Sequence, residues 1–134
     1  MSRSFRINAR IHEEERLIVF SISGEIDSRA LVDKWIETYS NLSEPWKYNR
    51  LLDYRRSEGL VDVRELTRFA DWWNMQSNGV EYTLKVAIIV NNALDARRIH
   101  VVDQMFPHDI RQSFDSLDDA LTWLNEDVTQ PATA

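Results

Sequence analysis

The chain has 134 residues, with 16 Lys+Arg against 22 Asp+Glu, a formal charge of -6, three Gly, three Pro and no Cys. A length in the range of about 100–200 residues fits one domain that can bury its own core without staples. The absence of Cys excludes disulfides and thiolate metal sites, and the acidic balance argues against binding nucleic acid, which calls for a cationic face. Residues 1–10 lack the apolar stretch of about 7–15 residues that marks a secretory signal. The longest apolar runs, 17–20 and 86–90, fall far short of the ~20 residues that span a bilayer. A cytoplasmic location is the expectation.

Phe5, Ile7, Ala9 and Ile11 alternate with Arg6, Asn8, Arg10 and His12, the period of two of a strand with one wet face. Glu13-Glu14-Glu15 reads as a charged turn. Leu17 to Ile22 is more continuously apolar and predicts a second strand, so the two form a hairpin with the first at the sheet edge. After Gly24 the period becomes helical: Leu31, Val32, Trp35, Ile36 and Tyr39 recur at three- and four-residue spacing, with Asp27 or Ser28 as N-cap. Residues 41–48, holding Pro45, form a loop, and Arg50 to Tyr54 a short buried strand. Asp62 and Glu65 make a capping box for a second helix, whose inner face is Val63, Leu66, Phe69, Ala70 and Trp73 and whose stop is Asn78-Gly79.

Lys85 to Val90, rich in β-branched residues, predicts a central strand covered on both faces. Leu94, Arg98, Val101, Val102 and Met105 predict a third helix ending before Pro107, and Asp109 to Phe114 a final edge strand. Ser116 and Asp119 cap a last helix with Leu117, Ala120, Leu121 and Leu124 on its core stripe. The domain spans 1–126, and 127–134 is expected to be a disordered tail. The order β-β-α-β-α-β-α-β-α predicts an α/β fold: a single-domain sandwich on a mixed, mostly parallel five-stranded sheet, with an N-terminal antiparallel hairpin and four helices.

These residues also resemble a family. Leu17 to Gly24 before a capped helix, the Leu51-Leu52-Asp53 strand, Val86 to Val90, and the closing Phe114-Asp115 with Ala120, Trp123 and Leu124 are similar to the STAS-like domains. Within them, the similarity is to the stand-alone branch related to sporulation anti-sigma factor antagonists. The resemblance implies a small α/β sandwich without a catalytic centre, used for protein–protein regulation or, in this branch, proposed to bind lipid-like ligands or membrane surfaces. Antagonists switched by a kinase carry an Asp-Ser-Ser-Gly-like motif where the helix after the third strand begins. Here that place reads Leu60-Val61-Asp62-Val63-Arg64-Glu65. It offers no hydroxyl, so serine phosphorylation and a kinase partner do not carry over.

In open α/β sheets ligands gather beyond the carboxyl ends of the strands. Gly24, Glu25 and Asp27 fall there after the second strand, Asp53, Arg55 and Arg56 after the third, and Asn91 and Asn92 after the fourth. Asp53 with Arg55 or Arg56 suits an anionic group or a partner's charged side chain; equally, Asp53 can accept backbone N–H bonds that hold the loop to Gly59. Arg97 and Arg98, with His100, suit a lipid head group or a solvated helix whose Arg stems cover apolar surface. Trp35 and Trp73 fall on core stripes. Trp72 lies about 100° off that stripe and Trp46 follows Pro45 in a loop, so an exposed indole at either would mark a contact surface. Trp123 sits beside its helix stripe, and the resemblance implies a lid over the sheet edge.

Catalytic templates find little support. His12, His100 and His108 lack metal-site spacing, and the three Gly are isolated, forming neither a nucleophile elbow nor a phosphate loop. Asp27 and Asp53 could converge as an acid–base pair, or serve as a cap and a loop acceptor. The expectation is a non-enzymatic regulatory module with no metal or cofactor, acting on an unknown protein partner. The alternative is a lipid-like or other small apolar ligand, with peripheral membrane association, held between the strand ends and the second and third helices with Arg55, Arg56 and Arg98 at its mouth. The binding candidates are Asp27, Asp53, Arg55, Arg56, Trp72, Asn91 and Arg98, and a homodimer could form through an edge strand or the Trp72 face.

Overall fold

Successive side chains on a strand point to opposite faces, so Ile7, Ala9 and Ile11 of β1 (Arg6–His12) fall opposite Ile22, Phe20 and Ile18 of β2 (Leu17–Glu25) in an antiparallel pair. The computed structural model describes residues 4–90 and 105–126. Asp27 caps α1 (Ser28–Ser40), its carboxylate accepting from the Ala30 N–H at 3.1 Å. A short 3-10 turn at Pro45–Lys47 leads into β3 (Asn49–Glu58). Asp62 caps α2 (Val63–Gln76), β4 (Leu84–Ile89) and β5 (Asp109–Phe114) follow, and Ser116 caps α3 (Leu117–Leu124) by accepting from the Asp119 N–H. The strands lie in the order β1-β2-β3-β4-β5, with every pair after the hairpin parallel.

The sheet has two unlike faces. On the first, Phe20, Leu52, Val86 and Ile88 meet Leu31, Trp35 and Tyr39 of α1 and Phe69 and Trp73 of α2. Arg68 ties these two helices, its Nη2 2.7 Å from Asp33 Oδ1 and its Nε 2.7 Å from Glu65 Oε1. On the second face, Leu51, Ala87 and Ile89 meet Ala120 and Leu124 of α3. Trp123 packs on Phe114 of the edge strand β5, ring centroids 5.5 Å apart.

Two expectations change. The third strand does not stop at Tyr54 but runs on to Glu58; the register passes from Ser21↔Asp53 to Ser23↔Arg56, so β3 carries one extra residue, a bulge. The central strand is β3, and β4 is the next one out, buried on both faces because helices cover both. Three α-helices are seen among the described residues; the expected helix holding Leu94, Arg98 and Val102 lies outside them, as does the expected tail at 127–134. No helix among the described residues is long and apolar enough to cross a membrane.

Candidate functional site

The first face does not close completely. Between the sheet and helices α1 and α2 lies a cavity of about 700 Å³, walled by Trp35, Leu52, Leu66, Phe69, Val86 and Ile88 among others. Protein interiors are otherwise packed as densely as organic crystals, and ligand sites commonly occupy about 300–1,000 Å³. Leu60 and Val63 line the cavity and are 45% and 60% exposed, so it reaches the surface at the loop between β3 and α2. That loop is tied to the start of α1: the Asp62 N–H donates to Ser28 Oγ at 2.8 Å, and the Ile26 N–H to the Glu58 carbonyl at 2.9 Å.

The opposite end of the cavity is charged. Arg50, the second residue of β3, lines it and is only 3% exposed. Its guanidinium rests against two adjoining rings, with Cζ 4.3 Å from the centroid of Tyr39 and 4.2 Å from that of Trp73. Arg50 Nε and Nη2 are buried without a hydrogen-bond partner, as is Trp35 Nε1. Arg111 also lines the cavity; its Nη2 lies 2.9 Å from Asp109 Oδ2, with the two side chains 6% and 0% exposed. Burial pushes the Tyr39 phenol up to about 12, against the lowering influence of Arg50 and with a smaller push from Asp109. Burial raises Tyr54 as well, against the nearby charge of Arg111. Both phenols are therefore neutral at ordinary pH, and among the described residues Arg50, Arg111 and Asp109 bring formal charge to this end.

The second face holds a different feature, a polar groove of about 620 Å³ over the β1–β3 part of the sheet, lined by Arg6, Asn8, Ser21, Ser23, Asp53, Arg55 and Arg56 among others. Asp53 is bound within its own strand: Arg55 Nε and Nη2 donate to its two oxygens at 3.0 and 2.8 Å, and the Arg55 N–H adds a third bond at 3.1 Å. Burial works against ionisation of Asp53, but these bonds and the charges of Arg55 and Arg56 outweigh it and hold the carboxyl below its usual range.

The expected strand-end rim is thus divided. Asp53, Arg55 and Arg56 do come together, but in the groove on the second face, because β3 continues past them and turns them away from the cavity. Asp27 is not with them: it caps α1 beyond Glu25, whereas Asp53 pairs with Ser21, about four residues or 13 Å back along the sheet, so no carboxylate pair forms. Trp72 is half-buried, stacked on Phe69 at 6.1 Å and 25°, and Trp46 is half-buried against the same core, so neither indole stands free. Asn91 and Arg98 lie outside the described residues. No group of three or more His, Cys, Asp or Glu that could hold a metal ion occurs among the described residues. The residues at the charged end of the cavity, Arg50, Tyr39 and Arg111, are absent from the expected site. The available signal was an Arg entering a buried strand beside two aromatic core stripes.

No protein-family model and no curated protein sequence matches the chain. Among solved structures, it is similar to an uncharacterized protein of the DUF3478 family with a SpoIIAA-like fold from Shewanella loihica PV-4, at 19% identity and a TM-score of 0.60, over 92% of this chain and 98% of the other. It is also similar to an anti-sigma factor antagonist from Mycobacterium paratuberculosis, at 23% identity and a TM-score of 0.56, over 92% of this chain and 96% of the other. At these identities the likeness is one of architecture, and it agrees with the strand order, the parallel crossovers and the N-terminal hairpin described above: the chain has a SpoIIAA-like fold.

Proposed function

We propose that the protein is a non-enzymatic binding module that holds a small amphipathic or apolar molecule between its sheet and helices α1 and α2. The cavity of about 700 Å³ carries this reading, since a largely apolar hollow with few convergent polar groups is the ordinary form of a small-molecule site. The charged groups at its floor are stacked or ion-paired rather than arranged as a general acid facing a general base, which favours binding over catalysis.

A second reading, a regulatory protein partner, is supported by the mouth. Leu60 and Val63 expose apolar surface there, next to the cavity they line. One structural neighbour is an anti-sigma factor antagonist, a protein of regulatory type. The two readings are compatible, with a partner reading the occupied or empty state of the cavity at the Leu60–Val63 rim. Asp62 occupies the start of α2 as a cap, so control by a serine phosphate at that place is not part of the proposal.

The test is native mass spectrometry of the protein purified from its own host, beside Ile88→Trp, which fills the cavity from β4. The expected result is an additional small-molecule mass on the wild type that the variant lacks. Only the bare protein mass for each, together with no binding of dodecan-1-ol or of dodecanoic acid by the wild type, would refute the ligand reading.

A further inference from the structure

Arg50 poses a specific question of charge. A cation removed from water is costly unless it is paired and hydrogen-bonded, and Arg50 is 3% exposed with no carboxylate of the described residues bonded to it. Tyr39 and Trp73, whose ring centroids are 5.4 Å apart, lie together against its guanidinium and stabilise it through their ring electrons. Neither ring supplies an oxygen acceptor to its N–H groups. The two nitrogens left without a partner, Nε and Nη2, lie on one side of the fork, where two parallel N–H groups match the two oxygens of a carboxylate. Arg55 shows the complement of that edge in the same protein, binding both oxygens of Asp53 at 3.0 and 2.8 Å through the same pair of atoms.

Among the described residues, the cavity floor supplies no such carboxylate for Arg50. Asp109, which together with Arg50 and Arg111 acts electrostatically on Tyr39, is ion-paired with Arg111 at 2.9 Å. Among the described residues, the Nε–Nη2 edge of Arg50 is thus left without an oxygen acceptor, in a low-dielectric hollow where its charge acts strongly.

We propose that the Nε–Nη2 edge of Arg50 is the anion-binding subsite of the cavity, and that the ligand class is a monocarboxylate with an apolar body, bound head inward. The carboxylate replaces the missing acidic partner of Arg50, and the apolar body lies along Leu52 and Ile88 toward Leu66 and the Leu60–Val63 mouth. This orientation is the reverse of one in which a head group rests on surface arginines. It excludes two-tailed phospholipids, whose large hydrated heads belong at the water-facing end. The inference rests on the ligand reading given above and specifies its chemistry.

The test compares dodecanoic acid with dodecan-1-ol, which shares its chain and lacks its charge, by calorimetric titration of the wild-type protein at pH 8 and at concentrations below micelle formation. A bidentate charge-assisted contact should make the acid bind about ten- to hundredfold more tightly than the alcohol. In Arg50→Met that ratio should fall to about one, and in Arg50→Lys, which keeps a charge and loses the fork, it should be intermediate. If Arg50→Met does not fold, the wild-type ratio and Arg50→Lys decide. Equal binding of acid and alcohol by the wild type, or a preference for acid that survives in Arg50→Met, overturns the subsite while leaving the cavity as a ligand site. Failure of both probes to bind overturns the reading beneath it as well.

Discussion

At Gly24 the backbone takes φ +80°, and a Cβ built there would overlap the carbonyl of Ser4, with Phe5 N only 3.1 Å away. Two penalties fall on one residue, a left-handed dihedral and a collision with backbone. Gly79, at φ +82° with open space around it, carries the dihedral penalty alone. Gly24→Ala should therefore cost about 2–3 kcal/mol and Gly79→Ala about 1 kcal/mol in urea denaturation; equal costs would mean the start of β1 yields freely. Tyr39 makes a pH prediction. Its phenol ionises near 10.0 in the unfolded chain and at about 12 when folded, so below pH 10 both states hold the proton. Above it the unfolded chain loses the proton first, and stability falls by about 3 kcal/mol as pH rises to 12. Denaturation curves from pH 9 to 12 should fall less steeply for Tyr39→Phe than for wild type, and parallel curves would contradict this. Trp72 is a further case where neighbours decide. Its offset from the stripe of Trp73 is real, but Phe69 stacks under it, so Trp72→Ala should cost about 1–3 kcal/mol without altering the oligomeric state seen by light scattering. The role of Arg50 was hidden for the same reason: no spacing in the sequence says that Tyr39 and Trp73, eleven and twenty-three residues away on opposite sides, will close over it.

At the level of elements, the helices were legible because each carries its own punctuation. Asp27, Asp62 and Ser116 all bond a backbone N–H of the first turn that follows them, as the capping patterns require. The third strand was legible only to Tyr54, because Arg55, Arg56 and Glu58 are polar where a core strand should be apolar. The strand continues past the covered part of the sheet, so its pairing with Ser23, Gly24 and Glu25 is maintained without burial to advertise it. Lys85 reverses that logic, a charge inside the most apolar segment. It is 4% exposed, and its Nζ donates to the carbonyls of Trp123 and Glu126, both at 2.7 Å, at the end of α3. A cation placed on the last carbonyls of a helix satisfies orphaned acceptors and opposes the helix dipole. Lys85→Met should cost about 2 kcal/mol, and hydrogen exchange should rise in α3 while α1 and α2 stay protected. A uniform rise over all three helices would show that Lys85 supports the sheet rather than the helix end.

For the molecule as a whole, the alternation of periods was enough to derive a mixed, mostly parallel five-stranded sheet, because strands that alternate with helices pair in parallel through crossovers of one favoured hand. The site was less accessible to that reasoning. Strand-end rules point to loops, whereas this cavity runs under two helices from the β3–α2 loop to the start of β3, and Arg55 and Arg56, expected at its mouth, lie across the sheet in the polar groove. A hollow is a property of how faces fail to meet, and periodicity reports only which residues face inward. The central claim is that the first face binds ligand and the second does not, and a methyl and amide NMR titration with dodecanoic acid tests it most directly. The account predicts saturable shifts at Leu52, Leu66, Val86 and Ile88, with the amides of Asn8, Ser21 and Arg56 unmoved. Shifts confined to Asn8, Ser21 and Arg56, or no saturable shift at all, would contradict it.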